Sequence, residues 1–457
     1  MTFPPFLAYI FMVAVYGLGA AFLVLPLIGV NIHFAKAWGL VDWPKNRGIN
    51  EQHVPIIGYS LVALALLCIA WECSQGRIHS SLFWTGLVIA LMGYFDDLHA
   101  FNAMPKLVCQ LGSSLFVVYS LPELREALSG YGPWATAVGV LFLVGMMNAV
   151  NFIDGIDGLA GIVLISGTLG FLFLAYPFPE LRSFTWIAAL NLGTLLPFLY
   201  MNVVKRSGFL GNVGSYFFSF LLGVSHLGLP MESRYLIPKL SISVLCFLIP
   251  VADSLTVIIL RVITRRSPMQ PNKGHLHHRL VRTGLNLRHI LLIFASLAFS
   301  GLALAWIMSK EASVRGTWVP FLVAACEVVT TALLVLLVEK ASRRRVQEYL
   351  NSLGGGEKVH FASYQLKNKA GVTHFSWSEL KRIEALLNTE IRISDLCYVD
   401  APNHVFLVTR GEVEAFQRMQ WRVNELFLRE ELTIVDSAEI GEYRQVLGKK
   451  TVFKKSA

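Results

Sequence analysis

Long apolar runs broken by short polar stretches fill the first three quarters of the chain. A helix that crosses a bilayer needs about 20 apolar residues, fewer when it is packed inside a bundle. By that measure the runs predict about eleven transmembrane helices, over 6–30, 54–72, 81–95, 105–121, 134–151, 158–177, 184–202, 209–228, 238–262, 287–308 and 317–338. Beyond about Glu339 the pattern changes. Gly354-Gly355-Gly356 reads as a flexible linker. After it, short apolar strands alternate with helical patterns. The strand candidates are Val359–Ser363, Leu396–Tyr398, Val405–Thr409 and Leu432–Val435. The helix candidates are Ser376–Leu387, with Ser376 and Glu379 in capping-box register, and Gly411–Leu428. The expected fold class is an all-α polytopic membrane bundle over residues 1–340, a linker over 341–357 and a small α/β domain over 358–457.

One polar stretch stands out against this apolar background. Asn148-Ala-Val-Asn-Phe-Ile-Asp-Gly-Ile-Asp-Gly-Leu-Ala160 carries Asn148, Asn151, Asp154 and Asp157 at intervals of three. Residues three apart share a helix face. Gly155 and Gly158 predict an interruption where backbone can approach a ligand, with Asp157 capping the next helix. A cap accounts for one aspartate, not for two aspartates and two asparagines in register. Ionisable residues at a membrane boundary are costly and read as functional by default.

Four further clusters punctuate the runs. Asp42-Trp-Pro-Lys-Asn-Arg47 is followed by Asn50, His53 and Pro55. Asp96-Asp97-Leu-His99 closes an apolar run, ahead of Lys106 and Gln110. Adjacent carboxylates there repel each other, and magnesium held by carboxylates and substrate phosphates relieves that. Asn202 precedes Phe209-Leu-Gly211-Asn212-Val-Gly214-Ser215, where glycines can bring backbone amides to a phosphate or simply pack helices. Asp253, Arg261, Arg265 and Arg266 precede His275-Leu-His277-His278-Arg279. No cysteine completes a zinc set there, and imidazole and guanidinium donors suit phosphate or sugar oxygens equally well.

Composition agrees with a membrane body: 54% of residues are hydrophobic and 15% charged, where soluble chains run near a quarter charged. The first run, Phe6 to Val30, has no basic residues ahead of it and exceeds a signal-peptide core, so it reads as a retained span. The six cysteines are scattered and suggest no disulfide framework. Lys36, Lys45, Arg47, Lys106, Lys205, Arg206, Arg261, Arg265, Arg266, Lys273 and the run Arg343-Arg344-Arg345 fall in alternate loops. The positive-inside rule makes those loops cytoplasmic, with the N-terminus outside and the C-terminus inside. The same excess explains the net charge of +9 without a nucleic-acid partner. All five polar clusters then share the cytoplasmic side. Carboxylates, a divalent cation and cationic donors on a lipid-facing body suit phosphoryl transfer from a soluble anionic substrate to a membrane-held acceptor.

These clusters, in this order from Asp42 to Leu280, resemble the polyprenyl-phosphate N-acetylhexosamine-1-phosphate transferase family, glycosyltransferase family 4. The branch that initiates enterobacterial antigen is the more similar one. The resemblance implies that a UDP-N-acetylhexosamine gives its sugar-1-phosphate to polyprenyl (undecaprenyl) phosphate at the bacterial inner membrane, releasing UMP. It thereby implies initiation of a cell-surface polysaccharide such as cell wall, lipopolysaccharide or O-antigen. It gives catalytic roles to Asp96, Asp97, Asp154 and His277. It gives Mg2+, or Mn2+ in its place, to Asp96, Asp97, Asp154 and Asn212. Lys106 matches a lysine near the phosphates, and Asn151 and Asp157 line the nucleotide cleft. Phe209 matches an aromatic that stacks on uracil, with Asn202 a nearby polar contact. His275, His278 and Arg279 match the loop that holds diphosphate and sugar, and Asp42, Arg47 and Asn148 complete the substrate-binding set. Three positions depart from the family pattern: Asn50 stands where it has His, and Asn212 and Asn272 stand where it has Asp. Asn212 matters most, because the family's Asp is a principal magnesium ligand. These departures favour a rival, a catalytically weakened member that binds lipid or nucleotide and regulates through its C-terminal domain. A transporter is a second rival, but it predicts charges at mid-membrane on broken helices.

Overall fold

Each of the eleven apolar windows is largely helical, the window 238–262 as two helices. The computed structural model describes residues 5–35, 37–42, 54–99, 101–205, 207–230, 236–263, 275–281, 287–310, 317–352, 359–367, 396–400, 404–410, 423 and 433–440. The chain divides into two compact units, one of residues 1–44, 52–269 and 288–333, the other of residues 45–51, 270–287 and 334–457.

The first unit is helical. Its helices are α1 Pro5–Phe34, α2 Gly58–Ser74, α3 Ser80–His99, α4 Ala103–Ser120, α5 Pro122–Ser129, α6 Trp134–Ile153 and α7 Leu159–Ala175. They continue as α8 Arg182–Val203, α9 Gly211–Leu227, α10 Leu236–Cys246 and α11 Leu248–Ile263. After a six-residue helix in the second unit, α12 Leu276–Val281, come α13 Leu287–Lys310 and α14 Val319–Ser352, whose residues from Leu334 onward belong to the second unit. Among the described residues, six helices are long and apolar enough to cross a membrane, or eight if each sharply bent pair counts as one span. One bent pair corrects the expectation of a single straight span over 238–262, and the other adds a short helix after the run that was expected to end at 121. The run ending near 121 turns by 83° into α5, and the run 238–262 is two helices meeting at 98°. Pro122 causes the first break, since proline cannot continue a preceding helix. Helices α2, α7 and α9 have 17 residues each. Large apolar side chains on α1, such as Phe11 and Phe22, are exposed. Hydrocarbon is the solvent that suits such a surface, and the chain is a multi-pass membrane protein.

Helix α9 is the hub of this unit. Every residue from Val213 to Leu227 is buried, the pattern of a helix enclosed on all sides. Gly211, Ser215, Ser219 and Gly223 recur at intervals of four, and such small-residue faces let membrane helices approach closely. A Cβ on Gly223 would lie 3.0 Å from Leu143 on α6. Helices α3 and α6 make the broadest contacts with α9, and α2 and α7 also pack against it.

Two short strands close one end of the bundle. Strand β1, Val41–Asp42, pairs antiparallel with β2, Val54–Pro55. The chain beyond β2 is then fastened to the approach to α9. Phe209 N–H donates to the Pro55 carbonyl at 2.9 Å, and Ile57 N–H to the Phe209 carbonyl at 2.9 Å.

In the second unit, β3 Val359–Lys367, β4 Leu396–Asp400, β5 His404–Arg410 and β6 Thr433–Ile440 form an antiparallel sheet in the order β4-β5-β3-β6. All four contain or overlap the expected strands. The helix candidates at 376–387 and 411–428 lie outside the described residues, apart from Val423, which is helical.

Candidate active site

The polar stretch 148–160 breaks the helix as its glycines predict. Helix α6 ends at Ile153 and α7 begins at Leu159. The expected cap position at Asp157 is corrected: the N-cap residue is Gly158, which has no side chain to cap with. Gly158 has a φ of 87°, a left-handed conformation that L side chains avoid. Helical geometry therefore starts only at Leu159. The Gly158 N–H donates instead to Asn202 Oδ1 at the end of α8, and Asn202 Nδ2 donates to the Gly208 carbonyl at 2.8 Å. Asn202 thus ties the α6–α7 break to the approach to α9. Asp154 and Asp157 are half-buried in the break.

Helix ends converge on this break. Asp96, in the last turn of α3, is 3% exposed. Its Oδ2 receives Lys106 Nζ at 3.1 Å from α4, and its Oδ1 receives the Phe101 N–H at 2.8 Å. The Tyr216 hydroxyl on α9 sits against the same carboxylate and donates to Asn151 Oδ1 at 3.1 Å. Asn151 Nδ2 in turn donates to Asn212 Oδ1 at 2.7 Å and to Ser215 Oγ at 2.9 Å. Tyr216, Asn151, Asn212 and Ser215 therefore form one hydrogen-bonded network across α6 and α9, and Lys106 and Asp96 form an ion pair between α4 and α3. Asp97 faces the start of α9, where its carboxylate accepts the N–H groups of Asn212 and Val213. Asn148 Nδ2 donates to Gln110 Oε1 at 2.6 Å, joining α6 to α4.

Phe209 is half-buried and held by backbone through its parallel bridge to Ile56. Asp42 is fixed through its strand backbone opposite Val54. Arg47, Asn50 and Asn272 lie outside the described residues. His275, His277, His278 and Arg279 belong to the second unit. There the His275 and His277 rings stack with centroids 5.4 Å apart, and the His277 and His278 centroids are 4.2 Å apart. The Arg279 N–H donates to the His275 carbonyl, opening α12.

Sequence reasoning missed Tyr59 and Tyr216. Both hydroxyls serve the aspartate pair's surroundings from other helices, Tyr59 by donating to Asp97 Oδ2 at 3.2 Å. The only sequence signal for Tyr216 was its position beside Ser215 in a Gly-rich helix start.

A multi-pass membrane protein with a buried carboxylate–amide network at one end of its helices is the class that fold and site define. Residues 79–229, which hold Asp96, Asp154 and Asn212, match the model of glycosyl transferase family 4. The probable undecaprenyl-phosphate N-acetylglucosaminyl 1-phosphate transferase of Bacillus subtilis (strain 168) is 26% identical over 274 residues, covering 57% of this chain and 75% of that protein. The decaprenyl-phosphate N-acetylglucosaminephosphotransferase of Mycolicibacterium smegmatis is 28% identical over 331 residues, with 61% and 80% covered. The undecaprenyl-phosphate alpha-N-acetylglucosaminyl 1-phosphate transferase of Yersinia pestis is 25% identical over 308 residues, with 62% and 80% covered. Over residues 79–229 the chain is thus similar to glycosyl transferase family 4, and over its wider membrane body to these polyprenyl-phosphate N-acetylglucosamine-1-phosphate transferases.

Proposed function

We propose that this protein transfers an N-acetylhexosamine-1-phosphate from a UDP-sugar to polyprenyl phosphate and releases UMP, as the first step of a cell-surface polysaccharide. A polyprenyl-phosphate oxygen forms the new bond to the β-phosphorus, and the bond from that phosphorus to the α-phosphate bridging oxygen breaks. The observation that carries this reading is the placing of the Lys106–Asp96 ion pair and the hydrogen-bonded Asn151–Asn212 pair at the ends of α3, α4, α6 and α9.

In this reading Lys106 meets the phosphates as well as Asp96, and Asp96 and Asp154 hold negative charge where phosphates gather. Asn151 and Asp157 orient the nucleotide, and Phe209 offers its ring to uracil. Asn202 keeps the cleft's backbone in place, and His275, His277, His278 and Arg279 take the diphosphate and sugar. The carboxylates of Asp96 and Asp154 and the amide oxygen of Asn212 are hard oxygen donors of the kind magnesium takes, so the residues present fit that ion. Bound by them, magnesium would neutralise phosphate oxygens during transfer.

The same reading takes α2, α7 and α9 as short spans and the bent pairs as one span each, giving eleven in the inner membrane. The helix ends carrying the site then face the cytoplasm, with the N-terminus outside. The C-terminal sheet belongs to a small α/β accessory domain. A second reading, a weakened member with a regulatory role, is favoured by Asn212, an uncharged residue whose Oδ1 already accepts from Asn151. The test is UMP release by purified protein given polyprenyl phosphate, magnesium and a panel of UDP-aminosugars. Release that needs both substrates supports transfer, and none with any donor supports the regulatory reading.

A further inference from the structure

Asp97 and Asp96 are neighbours in sequence, yet their carboxylates meet different structures. Asp97 Oδ1 accepts the Asn212 N–H at 2.9 Å, and Oδ2 accepts the Val213 N–H at 3.2 Å. Helix α9 starts at Gly211, so these are its second and third amides. They are the two that an N-cap side chain serves. The residue in the N-cap position is Leu210, which offers no side-chain acceptor. Asp97, 115 residues away in sequence, supplies from α3 what Leu210 lacks. Its charge also suits the positive end of the helix.

The surroundings are built for this contact. Gly93 lies one turn before Asp97 on the same face of α3. A Cβ on Gly93 would lie 2.5 Å from Val213 Cα and 2.8 Å from Val213 N, so α3 touches the α9 backbone only because that residue is glycine. The Tyr59 hydroxyl from α2 braces the carboxylate from another side at 3.2 Å. The first turn of α9 carries Asn212 and Ser215, both of which hold Asn151.

We propose that Asp97 is a positioning residue: it closes the first turn of α9 and thereby sets Asn212 and Ser215 against Asn151. The charge used on substrate phosphates belongs to Asp96 and Asp154. This assignment departs from the direct catalytic and metal role that the resemblance implies for Asp97, and its catalytic consequence rests on the transferase reading.

The test compares Asp97→Asn, Asp97→Ala and Asp154→Asn in the full-length protein. Two readouts are followed: UMP release, and hydrogen exchange of a peptide spanning Asn212 and Val213. Aspartate offers the α9 amides two acceptor oxygens, asparagine one and alanine none, so Asp97→Asn should stay within about tenfold of wild-type turnover and Asp97→Ala should fall about tenfold further. Exchange at Asn212 and Val213 should quicken by about tenfold in Asp97→Ala and by clearly less in Asp97→Asn. Loss of turnover in Asp97→Asn as deep as in Asp154→Asn, with wild-type exchange, would show that the Asp97 charge acts directly and overturn the proposal. So would unchanged exchange in Asp97→Ala. If Asp97→Ala does not fold, Asp97→Asn alone still decides between the two roles. If the wild type transfers nothing, the transferase reading fails and the catalytic part falls with it, while exchange at Asn212 and Val213 still decides the cap.

Discussion

Lys106 Nζ lies 3.1 Å from Asp96 Oδ2, joining the end of α3 to the start of α4. The Asp96 side chain is 2% exposed and the lysine 24%, so removing the lysine leaves a buried carboxylate without its cation. Lys106→Met is expected to destabilise the protein by about 2 kcal/mol, below the full value for a buried pair because the lysine is partly hydrated. Thermal unfolding in detergent measures it. The double variant Lys106→Met/Asp96→Asn should recover much of that stability without recovering transfer. An unchanged midpoint in the single variant would mean that water or another cation replaces Lys106.

Asp154 stands half-buried where α6 ends. Asp154→Asn keeps its size and removes its charge. Turnover should fall by about a hundredfold or more, the scale on which lost electrostatic stabilisation acts, with the unfolding midpoint held. Near-normal turnover would remove Asp154 from the chemistry.

Gly58 marks where α2 meets the approach to α9. A Cβ there would lie 1.8 Å from the Leu210 carbonyl oxygen, and backbone cannot yield as a side-chain tip can. Gly58→Ala should cost about 1–3 kcal/mol, as overpacking does. It should also raise the KM for the UDP-sugar, because Phe209 is fastened to the same stretch. A stable variant with wild-type KM would show that this contact relaxes freely.

Much of this arrangement was legible in the sequence because it is local. Apolar runs located the long helices of the described bundle, though not the short α5, and Gly155 and Gly158 marked the break between α6 and α7. Alternating patterns located all four strands of the C-terminal sheet. The bends were not legible at Phe247, since an apolar run carries no record of direction. The partnership of Asp97 with Asn212 was hidden for a different reason. It joins residues far apart in sequence through backbone amides, which every residue but proline possesses, so no side-chain pattern announces it. Tyr59 and Tyr216 were missed because a single hydroxyl in a buried helix looks like packing until its partner is known.

Asn212 offers an amide where the resemblance implies a carboxylate. Magnesium prefers charged oxygen, so the wild type should bind it weakly alone and better with the UDP-sugar diphosphate present. Asn212→Asp adds a charge at constant length and retains an acceptor for Asn151 Nδ2. It should lower the magnesium midpoint for UMP release. An unchanged midpoint alongside robust wild-type activity would remove position 212 from the metal site.

The measurement that bears most directly on sugar-phosphate transfer follows one phosphate. Purified protein is given polyprenyl phosphate, magnesium and a UDP-N-acetylhexosamine labelled in its β-phosphate, and lipid and aqueous products are separated. Transfer of sugar-1-phosphate puts the label in the lipid fraction and leaves unlabelled UMP in water. Label that stays in water as UDP would mean transfer of the sugar alone, and label that stays in unreacted donor would mean no transfer, each contradicting the proposed reaction.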